Sequence, residues 1–297
     1  MLLAAVSVLT FVLLNFSSGD VATAIVQRRD GDVTTSAIQA ERVELGLDRS
    51  LPHRYLENIR RAAHGDLGTS LLNGEPVADE IASRVAPTAR LAGAGALVAV
   101  LGGLTLGMLG VLVGRRWTAQ WLRLAMLATL SVPSFALAYL GVLVFGLWWH
   151  LLPTQGTVGP RSLVLPALVL GLPLAAALGR VTEARLRSTM SEPYITTARA
   201  RGLSEPACLL RHALPNAAAS LLVVFGNHVG YAIAGTLVVE TIFGWPGLGA
   251  YLVQSLQLRD WYPLQASVLV VAAAAIGARG VAGSLAVLVD PRTAGQS

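Results

Sequence analysis

The chain has 297 residues, of which 54% are hydrophobic and 13% charged, and its formal net charge is +5. Soluble domains carry about 25% charged residues, so this composition predicts an integral membrane protein. The sequence contains no lysine, which excludes a Walker A phosphate site and a lysine Schiff base. Its one cysteine, Cys208, excludes an intrachain disulfide and a multi-cysteine metal site.

Six apolar runs approach or exceed the roughly 20 residues that a membrane-spanning helix needs. They cover residues 1–16, 91–113, 124–149, 162–179, 217–239 and 264–289. The first run is short, and we expect it to be a spanning helix whose start is truncated. Pro133, inside the third run, is expected to kink or loosen its helix. The runs predict an all-α integral membrane protein with about six transmembrane helices.

Arginines are distributed unevenly among the loops between these runs. The loops 114–123 and 180–216, together with the tail after residue 289, contain ten arginines, whereas the loops 150–161 and 240–263 contain only two. Under the positive-inside rule the arginine-rich set is cytoplasmic. Six spans then place both termini in the cytoplasm. The basic stretches lack interleaved aromatic residues, so we expect no nucleic acid partner.

Residues 17–90 are long enough to form a small external helical subdomain between the first two spans. Helices are expected at 36–45 and 52–63, and an amphipathic lead-in to the second span at 79–90. The histidines of this stretch lack ligand spacing and are expected on the surface, not at a metal. The rest of the chain divides into a membrane-spanning core over 91–292 and a tail over 293–297.

Loop 180–216 contains the local chemistry of a helical hairpin. Pro193 suits the first turn of a helix of small residues, and Gly202 can adopt the left-handed conformation that ends it. Ser204 can cap a second helix. Such a thin, rigid helix can dock into a groove of a soluble partner and transmit its motion to the flanking spans. A solvated basic loop is the alternative that composition alone allows.

The same loop resembles a known motif. Its order is Thr197-Ala198-Arg199, then Gly202, nine residues, His212, one residue, and Leu214-Pro215. This resembles the EAA loop of ABC importer membrane subunits, whose pattern is E-A-A, three residues, G, nine residues, I-x-L-P. Thr197 stands in place of the glutamate and His212 in place of the isoleucine. The form over 197–204 and 211–214 is similar to variants of the peptide and nickel branch of these importers.

Three further segments resemble the same branch in the same order along the chain. They are residues 45–70, residues 238–249 and residues 290–292. The resemblance therefore covers about residues 1–292, and the chain is most similar to the first of the two membrane subunits of a dipeptide, oligopeptide or nickel importer. Arg279 departs from the family, whose last span is apolar here with an Asn and an Asp. We expect Arg279 to extend towards the membrane interface; facing the bundle interior is the alternative.

The resemblance implies a machine in which this chain is a transport subunit and not an enzyme. Its partners would be a second homologous membrane subunit, two ATPase domains or subunits, an extracytoplasmic substrate-binding protein and the bilayer of a bacterial inner membrane. This chain would bind no cofactor or metal, and ATP and Mg²⁺ would bind in the partners. The residues implied in coupling to the ATPase are Thr197, Ala198, Arg199, Ala200, Arg201, Gly202, Leu214 and Pro215. Two of these, Arg199 and Arg201, would pair with acids on the ATPase or remain solvated.

Polar residues in and beside the fifth run suggest further roles. Asn227 and His228 would line the translocation pathway or hold helices together by hydrogen bonds. Glu240 would contact the binding protein or the other membrane subunit, or be an ordinary interfacial charge. With Glu240, the turn formed by Gly244, Trp245, Pro246 and Gly247 is a candidate external gate or docking feature.

The substrate expected from the resemblance is a small peptide. A nickel or metal-chelate importer is the alternative within the class, because the binding protein largely selects the substrate. From another class, a secondary transporter would need inverted repeats and acidic residues inside the spans, and the sequence has no convincing example of either. A membrane anchor without a transport role would leave the EAA-like pattern unexplained.

Overall fold

The computed structural model describes residues 2–16, 21–29, 34–44, 46, 48–113, 116–156 and 159–289. Within these ranges the chain is helical, and its only β-type pairing is an isolated bridge between Thr69 and Pro76. Two compact units are present. The first comprises Met1–Pro87 with Gly247–Ala273, and the second comprises Thr88–Pro246 with Ala274–Ser297.

The helices are given in chain order. They are α1 (Leu2–Phe16), α2 (Val21–Arg29), α3 (Thr35–Glu44), α4 (Leu51–Ala63), α5 (Val77–Leu112), α6 (Arg116–Ser131), α7 (Ser134–Gly141), α8 (Val164–Met190), α9 (Pro193–Ala200), α10 (Glu205–Cys208), α11 (Leu214–Phe243), α12 (Leu248–Leu258) and α13 (Trp261–Val289). π-helical turns follow α7 and α10 at Val142–Trp148 and Leu209–Ala213, and a 3₁₀ turn at Pro160–Leu163 precedes α8.

Several helices match the predicted spans. Four stretches are long and apolar enough to cross a membrane: Val77–Leu112, Pro160–Met190, Ser220–Phe243 and Trp261–Val281. The first predicted run contains a shorter apolar helix, Leu2–Leu13. Helix α3 and helix α4 lie where two helices were expected, and the predicted lead-in at 79–90 is the first part of α5 itself. The prediction of an all-α membrane protein is confirmed.

The run 124–149 is not one continuous helix. Trp117–Ser131 and Ser134–Trp148 are bent by 100° relative to each other. Pro133 separates them in an extended conformation, with φ −57° and ψ 142°. Proline lacks the N–H that would continue the helix and disfavours helical backbone at the preceding residue. The expected kink is therefore a complete break, which makes this a broken span or a re-entrant loop.

Helix α8 extends well beyond the apolar run that predicted it. Residues 180–190, expected as the start of a loop, are its last turns. Thr182, Leu186 and Met190 are buried and lie four residues apart, so one face of this polar extension is packed. The loop that carries the EAA-like motif is consequently shorter than expected and starts from a rigid helix.

Glycines bring α5 and α8 into close contact in the second unit. A Cβ atom added at Gly103 would lie 2.5 Å from Cβ of Leu178, and one added at Gly107 would lie 2.5 Å from Cβ of Thr182. Any larger residue at either position would force the helices apart. Gly93, nearer the start of α5, faces open space instead.

The first unit has its own core and one buried ionic anchor. Val77, Ile81 and Leu248 belong to its hydrophobic cluster. Asp260 is buried, and its carboxylate accepts a 2.5 Å hydrogen bond from the hydroxyl of Ser70 and a 3.2 Å bond from the backbone N–H of Leu71. This carboxylate fixes the segment before α5 to the turn between α12 and α13.

Candidate functional site

The EAA-like motif forms a helical hairpin, which here means residues 193–213. Helix α9 begins at Pro193 after Glu192, whose backbone is extended. Helix α10 begins after Ser204 and continues through the π-helical turn directly into α11. Ser204 is thus the N-cap residue predicted from the sequence, although its side chain makes no capping hydrogen bond. Helix α8 ends only two residues before α9, so the hairpin is joined closely to two long helices.

Gly202 forms the turn that ends α9. Its φ is +87°, in the left-handed region that other residues rarely adopt. The N–H of Gly202 donates to the carbonyl of Arg199 at 2.9 Å, and the N–H of Leu203 donates to the carbonyl of Ala198 at 3.2 Å. This pair of bonds is the Schellman motif, and it confirms the glycine stop predicted from the sequence. A Cβ atom at Gly202 would meet no atom within 4 Å.

One face of the hairpin is buried. Ile195, Cys208 and Leu209 are inaccessible to solvent and belong to one hydrophobic cluster. The same cluster contains Leu186 of α8 and Leu221 of α11. Because the hairpin shares a close-packed core with both helices, it moves with them as one body.

The other face of the hairpin is exposed and combines small side chains with the larger Tyr194 and Arg201. Thr197, Ala200 and Arg201 are all exposed, and Tyr194 lies on the same surface with 42% of its area accessible. The hydroxyl of Thr197 donates to the carbonyl of Pro193 in the preceding turn at 3.3 Å, so its hydrogen is not directed towards solvent. Of the implied coupling residues, Ala198 is buried, so it supports this surface from below.

Arg199 has a partner within the hairpin. Its guanidinium donates to both carboxylate oxygens of Glu205, at 2.6 Å and 3.1 Å. This hydrogen bonding holds the pKa of the Glu205 carboxyl below its usual value and raises the pKa of Arg199. The sequence suggested an acid on another subunit as the partner of Arg199. Arg201, by contrast, is exposed and has no ion pair within the described residues.

Leu214 and Pro215, the end of the motif, lie in the first turn of α11. Proline is tolerated there because the first N–H groups of a helix have no intrahelical acceptor. Leu214 is half-buried and packs against the hydrophobic cluster of the hairpin, whereas Pro215 is exposed. These two residues therefore mark the junction of hairpin and span.

The structure also contains an ionic cluster that the sequence did not predict. Glu183 of α8 is buried and accepts hydrogen bonds from Arg123 of α6 at 2.7 Å and from Arg187 at 2.9 Å. Arg187 also donates to the carbonyl of Gly110 at the end of α5. The cluster joins three helices near the hairpin. The spacing of Glu183 and Arg187 by four residues was a recognisable signal, but their pairing with Arg123 was not.

Asn227 and His228 are the two polar residues predicted to line the pathway from the fifth run. The side chain of Asn227 lies outside the described residues. His228 is half-buried, and its Nδ1 lies 2.8 Å from the carbonyl of Val224 in the preceding turn. Its ring lies 6.0 Å from that of Tyr231 in an edge-on arrangement. The pathway role of both residues stays a prediction.

Arg279 packs against α11 and does not extend towards the end of its own helix. Its guanidinium carbon lies 5.3 Å from the ring centre of Tyr231. A Cβ atom added at Gly230 would lie 2.9 Å from Nε of Arg279, so the arginine uses the space that this glycine leaves. The cation lies against an aromatic face of the neighbouring helix, which favours the bundle-facing alternative over extension to the membrane interface.

Glu240 is buried, which contradicts its predicted docking role. The residue has no accessible surface, and Thr88 of α5 donates a 2.7 Å hydrogen bond to its Oε1. A carboxylate in this position cannot touch another protein directly. It instead links α11 to α5 near the ends of both spans, so gating is the role that stays predicted for it.

The turn after α11 is well defined. Gly244 has φ +59° and ends the helix, and the N–H of Trp245 donates to the carbonyl of Glu240 at 2.9 Å. The indole of Trp245 is buried, whereas Pro246 is exposed and Gly247 caps α12 with an extended backbone. Of this turn, Gly244 and Pro246 are the residues available at the surface.

No group of three or more potential metal-binding side chains occurs among the residues that the structure describes.

Comparison with known proteins identifies the chain's relatives. Residues 99–295 match the family described as binding-protein-dependent transport system inner membrane component. A similar protein is the glutathione transport system permease protein GsiC of Escherichia coli O6:H1, which is 38% identical over 264 residues, covering 89% of this chain and 85% of the relative. The GsiC proteins of Escherichia coli K12 and Shigella dysenteriae serotype 1 are 37% identical over the same shares of both chains.

Proposed function

Because the chain belongs to the family of binding-protein-dependent transport system inner membrane components, we propose that it forms half of the translocation pathway of an ATP-driven importer for small peptides. A second, homologous membrane subunit forms the other half. Membership of this family confirms the identification made from the EAA-like motif and argues against a secondary transporter. The chain is a transport subunit, and its relatives are permease proteins.

The architecture of the hairpin is the observation that best supports ATP-driven coupling. One face is buried in the cluster shared with α8 and α11, and the opposite face exposes Thr197, Ala200 and Arg201. A soluble subunit that grips this exposed surface would move both helices, because close-packed interiors transmit displacement and do not absorb it. Thr197, Ala200 and Arg201 are the residues that we propose to meet the ATPase.

ATP and Mg²⁺ bind in the partner subunits under this proposal. The absence of lysine from the chain is consistent with that division, since a Walker A site requires one. The two membrane subunits would each carry one ATPase on the hairpin. An extracytoplasmic binding protein would deliver the substrate from the opposite side.

The orientation follows from the arginines. The hairpin and the loop at 114–123 are rich in arginine, so we place them in the cytoplasm. Residues 17–90 then lie outside, where the binding protein docks. With six spans, both termini lie on the cytoplasmic side of the bacterial inner membrane.

Small peptides similar to glutathione are the proposed substrates. The relatives at 37–38% identity are glutathione transport permeases, and glutathione is a tripeptide whose carboxyl groups are ionised at neutral pH. His228 offers this pathway a polar group that suits peptide N–H or carbonyl groups. Nickel or a metal chelate is the competing cargo that the uptake experiment must test.

Uptake by proteoliposomes tests the proposal. The chain is reconstituted with the second membrane subunit, the ATPases and the binding protein encoded beside it. Labelled glutathione, a labelled dipeptide and labelled nickel, with and without a chelator, are supplied with internal ATP or its non-hydrolysable analogue. We expect ATP-dependent uptake of glutathione or the dipeptide.

Two results would contradict parts of this proposal. Uptake of nickel alone would keep the architecture and replace the substrate. Failure to transport any of these solutes, by a complex that is assembled and hydrolyses ATP in response to its binding protein, would overturn the assignment of small peptides.

A further inference from the structure

Arg279 is held against the middle of α11. The residue that faces it is Gly230, where a Cβ atom would lie 2.9 Å from the arginine Nε and 3.3 Å from its Cγ. The guanidinium carbon lies 5.3 Å from the ring centre of Tyr231. The aliphatic part of the Arg279 side chain therefore packs against Gly230, and its guanidinium lies over the ring of Tyr231. This is a defined position for a cation between two helices.

The contact with α11 sets the depth of the charge. Gly230 lies ten residues after Ser220 and thirteen before Phe243, the ends of this candidate span. At a rise of 1.5 Å per residue, these separations are about 15 and 20 Å. Half of a typical hydrocarbon core is about 15 Å. Arg279 therefore lies opposite the middle of the candidate span in α11.

The charge has no counter-ion within the described part of the chain. No carboxylate of the described residues forms an ion pair with Arg279. An arginine is unfavourable at the centre of a spanning helix unless a polar partner or water meets its charge. Cations at this depth face a bundle interior or a water-filled cavity, and they mark the paths of substrates and ions.

His228 and Tyr231 extend this position into a polar strip along α11. Tyr231 has 58% of its surface exposed, and Arg279 is also exposed, so the strip is open as far as the described residues go. The carbonyl of Val224 lies 2.8 Å from Nδ1 of His228, so it suits the tautomer whose Nδ1–H donates a hydrogen bond to it. That tautomer leaves Nε2 as an acceptor. Arg279 thus offers donors for an anion, and His228 offers an acceptor for an N–H group.

We propose that His228, Tyr231 and Arg279 form a binding station in the translocation pathway that holds a carboxylate of the peptide in transit. The guanidinium pairs with the carboxylate, and Nε2 of His228 accepts a hydrogen bond from a peptide or ammonium N–H. This proposal rests on the proposed function and narrows its substrate class to peptides with a free carboxylate. The tyrosine ring orients the guanidinium.

The test compares a tripeptide that has a free C-terminal carboxylate with the same tripeptide amidated at its C-terminus. Initial rates of ATP-driven uptake are measured with the reconstituted complex carrying either Arg279 or the Arg279→Gln substitution. The binding protein is identical in both complexes, so its own selectivity cancels when the two rate ratios are compared. We expect Arg279→Gln to lower the preference for the free carboxylate about tenfold, the effect of one charged hydrogen-bonded contact.

The variants separate a binding role from a structural one. Arg279→Lys keeps the charge and should retain part of the preference. Arg279→Met removes the charge with a side chain that inserts into the bilayer more readily, so it provides the same readout if the glutamine variant assembles poorly. An equal reduction for both peptides in the glutamine and methionine variants would overturn the proposal, because a cation that only pairs with the other membrane subunit has that effect.

Two other outcomes are also decisive. An unchanged ratio of the two rates would overturn the binding station and leave the importer assignment intact. If the unaltered complex transports neither peptide although it hydrolyses ATP, the proposed function itself fails, and this inference fails with it.

Discussion

Arg199 and Glu205 form a two-point ion pair across the turn of the hairpin. The guanidinium Nε lies 2.6 Å from one carboxylate oxygen, and Nη2 lies 3.1 Å from the other. Nη1 also donates to the carbonyl of Met190 at 3.4 Å. The pair therefore ties α9 to α10 and to the end of α8. A surface that docks a partner gains from such internal bracing, because less of it must be ordered on binding.

Exchange of the two charges tests whether this pair is the main role of Arg199. Arg199→Glu and Glu205→Arg should each lower ATP-driven uptake several-fold, since each places like charges across the turn. The double substitution should recover most of the activity, because it restores the pair in reverse. Persistent loss in the double variant would mean that Arg199 acts chiefly on an acid of the ATPase.

The same pair predicts a pH dependence of hairpin stability. The hydrogen bond from Arg199 lowers the pKa of Glu205 from its ordinary value of 4.5. The folded hairpin thus binds a proton less readily than the unfolded chain does. The contribution of the pair is complete above pH 4.5 and is lost as the pH falls through the lowered pKa of the folded state. Hydrogen exchange of residues 193–208 should therefore stay slow at pH 4.5, and Arg199→Gln should weaken protection already at neutral pH. Equal protection in both proteins at all pH values would contradict the prediction.

Glu183 is predicted to contribute to the stability of the whole second unit. The Glu183→Gln substitution removes the charge that Arg123 and Arg187 share and leaves buried hydrogen-bonding capacity unmatched. We expect a loss of about 1–3 kcal/mol in the free energy of unfolding. Thermal unfolding of the detergent-solubilised chain measures it. Glu192→Gln changes an exposed acid two residues beyond α8 and is the matched control. The same unfolding temperature in both variants would argue that the cluster is only a surface feature.

The titration of the Tyr251 phenol, in the first unit, provides a second prediction of pH-dependent stability. Burial raises the pKa of its phenol to about 12 from 10.0. The unfolded chain releases this proton first, so stability should fall as the pH rises from 10 towards 12. The tyrosinate absorbance of the unaltered chain minus that of Tyr251→Phe should show a midpoint near pH 12. The same subtraction for Tyr194→Phe, an exposed ring, provides the reference. A midpoint for Tyr251 no higher than that reference would show that the phenol is not buried.

The features that could be predicted from the sequence depend on local chemistry. Apolar runs located most spans because a bilayer requires about 20 apolar residues. Pro193 and Gly202 located the hairpin because each restricts or frees its own backbone. The same reasoning predicted a kink at Pro133, but not the complete break and the bend of 100°. These are all properties of short segments.

The features that could not be predicted depend on partners distant in sequence. The Arg123–Glu183 pair spans 60 residues, and the Thr88–Glu240 hydrogen bond spans 152. No periodicity or spacing links such residues, so Glu240 appeared to be a surface charge. The position of the Arg279 side chain could not be predicted either, because its contact with Gly230 is visible only where α13 lies against α11.

Two substitutions at Gly202 separate the effect of backbone strain from obstruction of the surface that we propose to meet the ATPase. At φ +87° any other residue costs roughly 1–2 kcal/mol, and a Cβ atom there meets no atom of this chain within 4 Å. Gly202→Ala should therefore assemble and keep partial uptake, since it adds strain but little volume. Gly202→Arg should abolish ATP-driven uptake, because its long side chain projects from the face that we propose to meet the ATPase.

Gly65 supplies the matched control for this prediction. Its φ is +83°, and a Cβ atom there also meets nothing within 4 Å, so Gly65→Arg imposes the same strain away from the hairpin. Membrane insertion should be unchanged in both arginine variants, and co-purification of the ATPase should be lost only with Gly202→Arg. Equal loss of ATPase co-purification in the two would attribute the effect to strain alone. Normal uptake by Gly202→Arg would remove the hairpin from the coupling interface, because an arginine cannot occupy a close protein contact unnoticed.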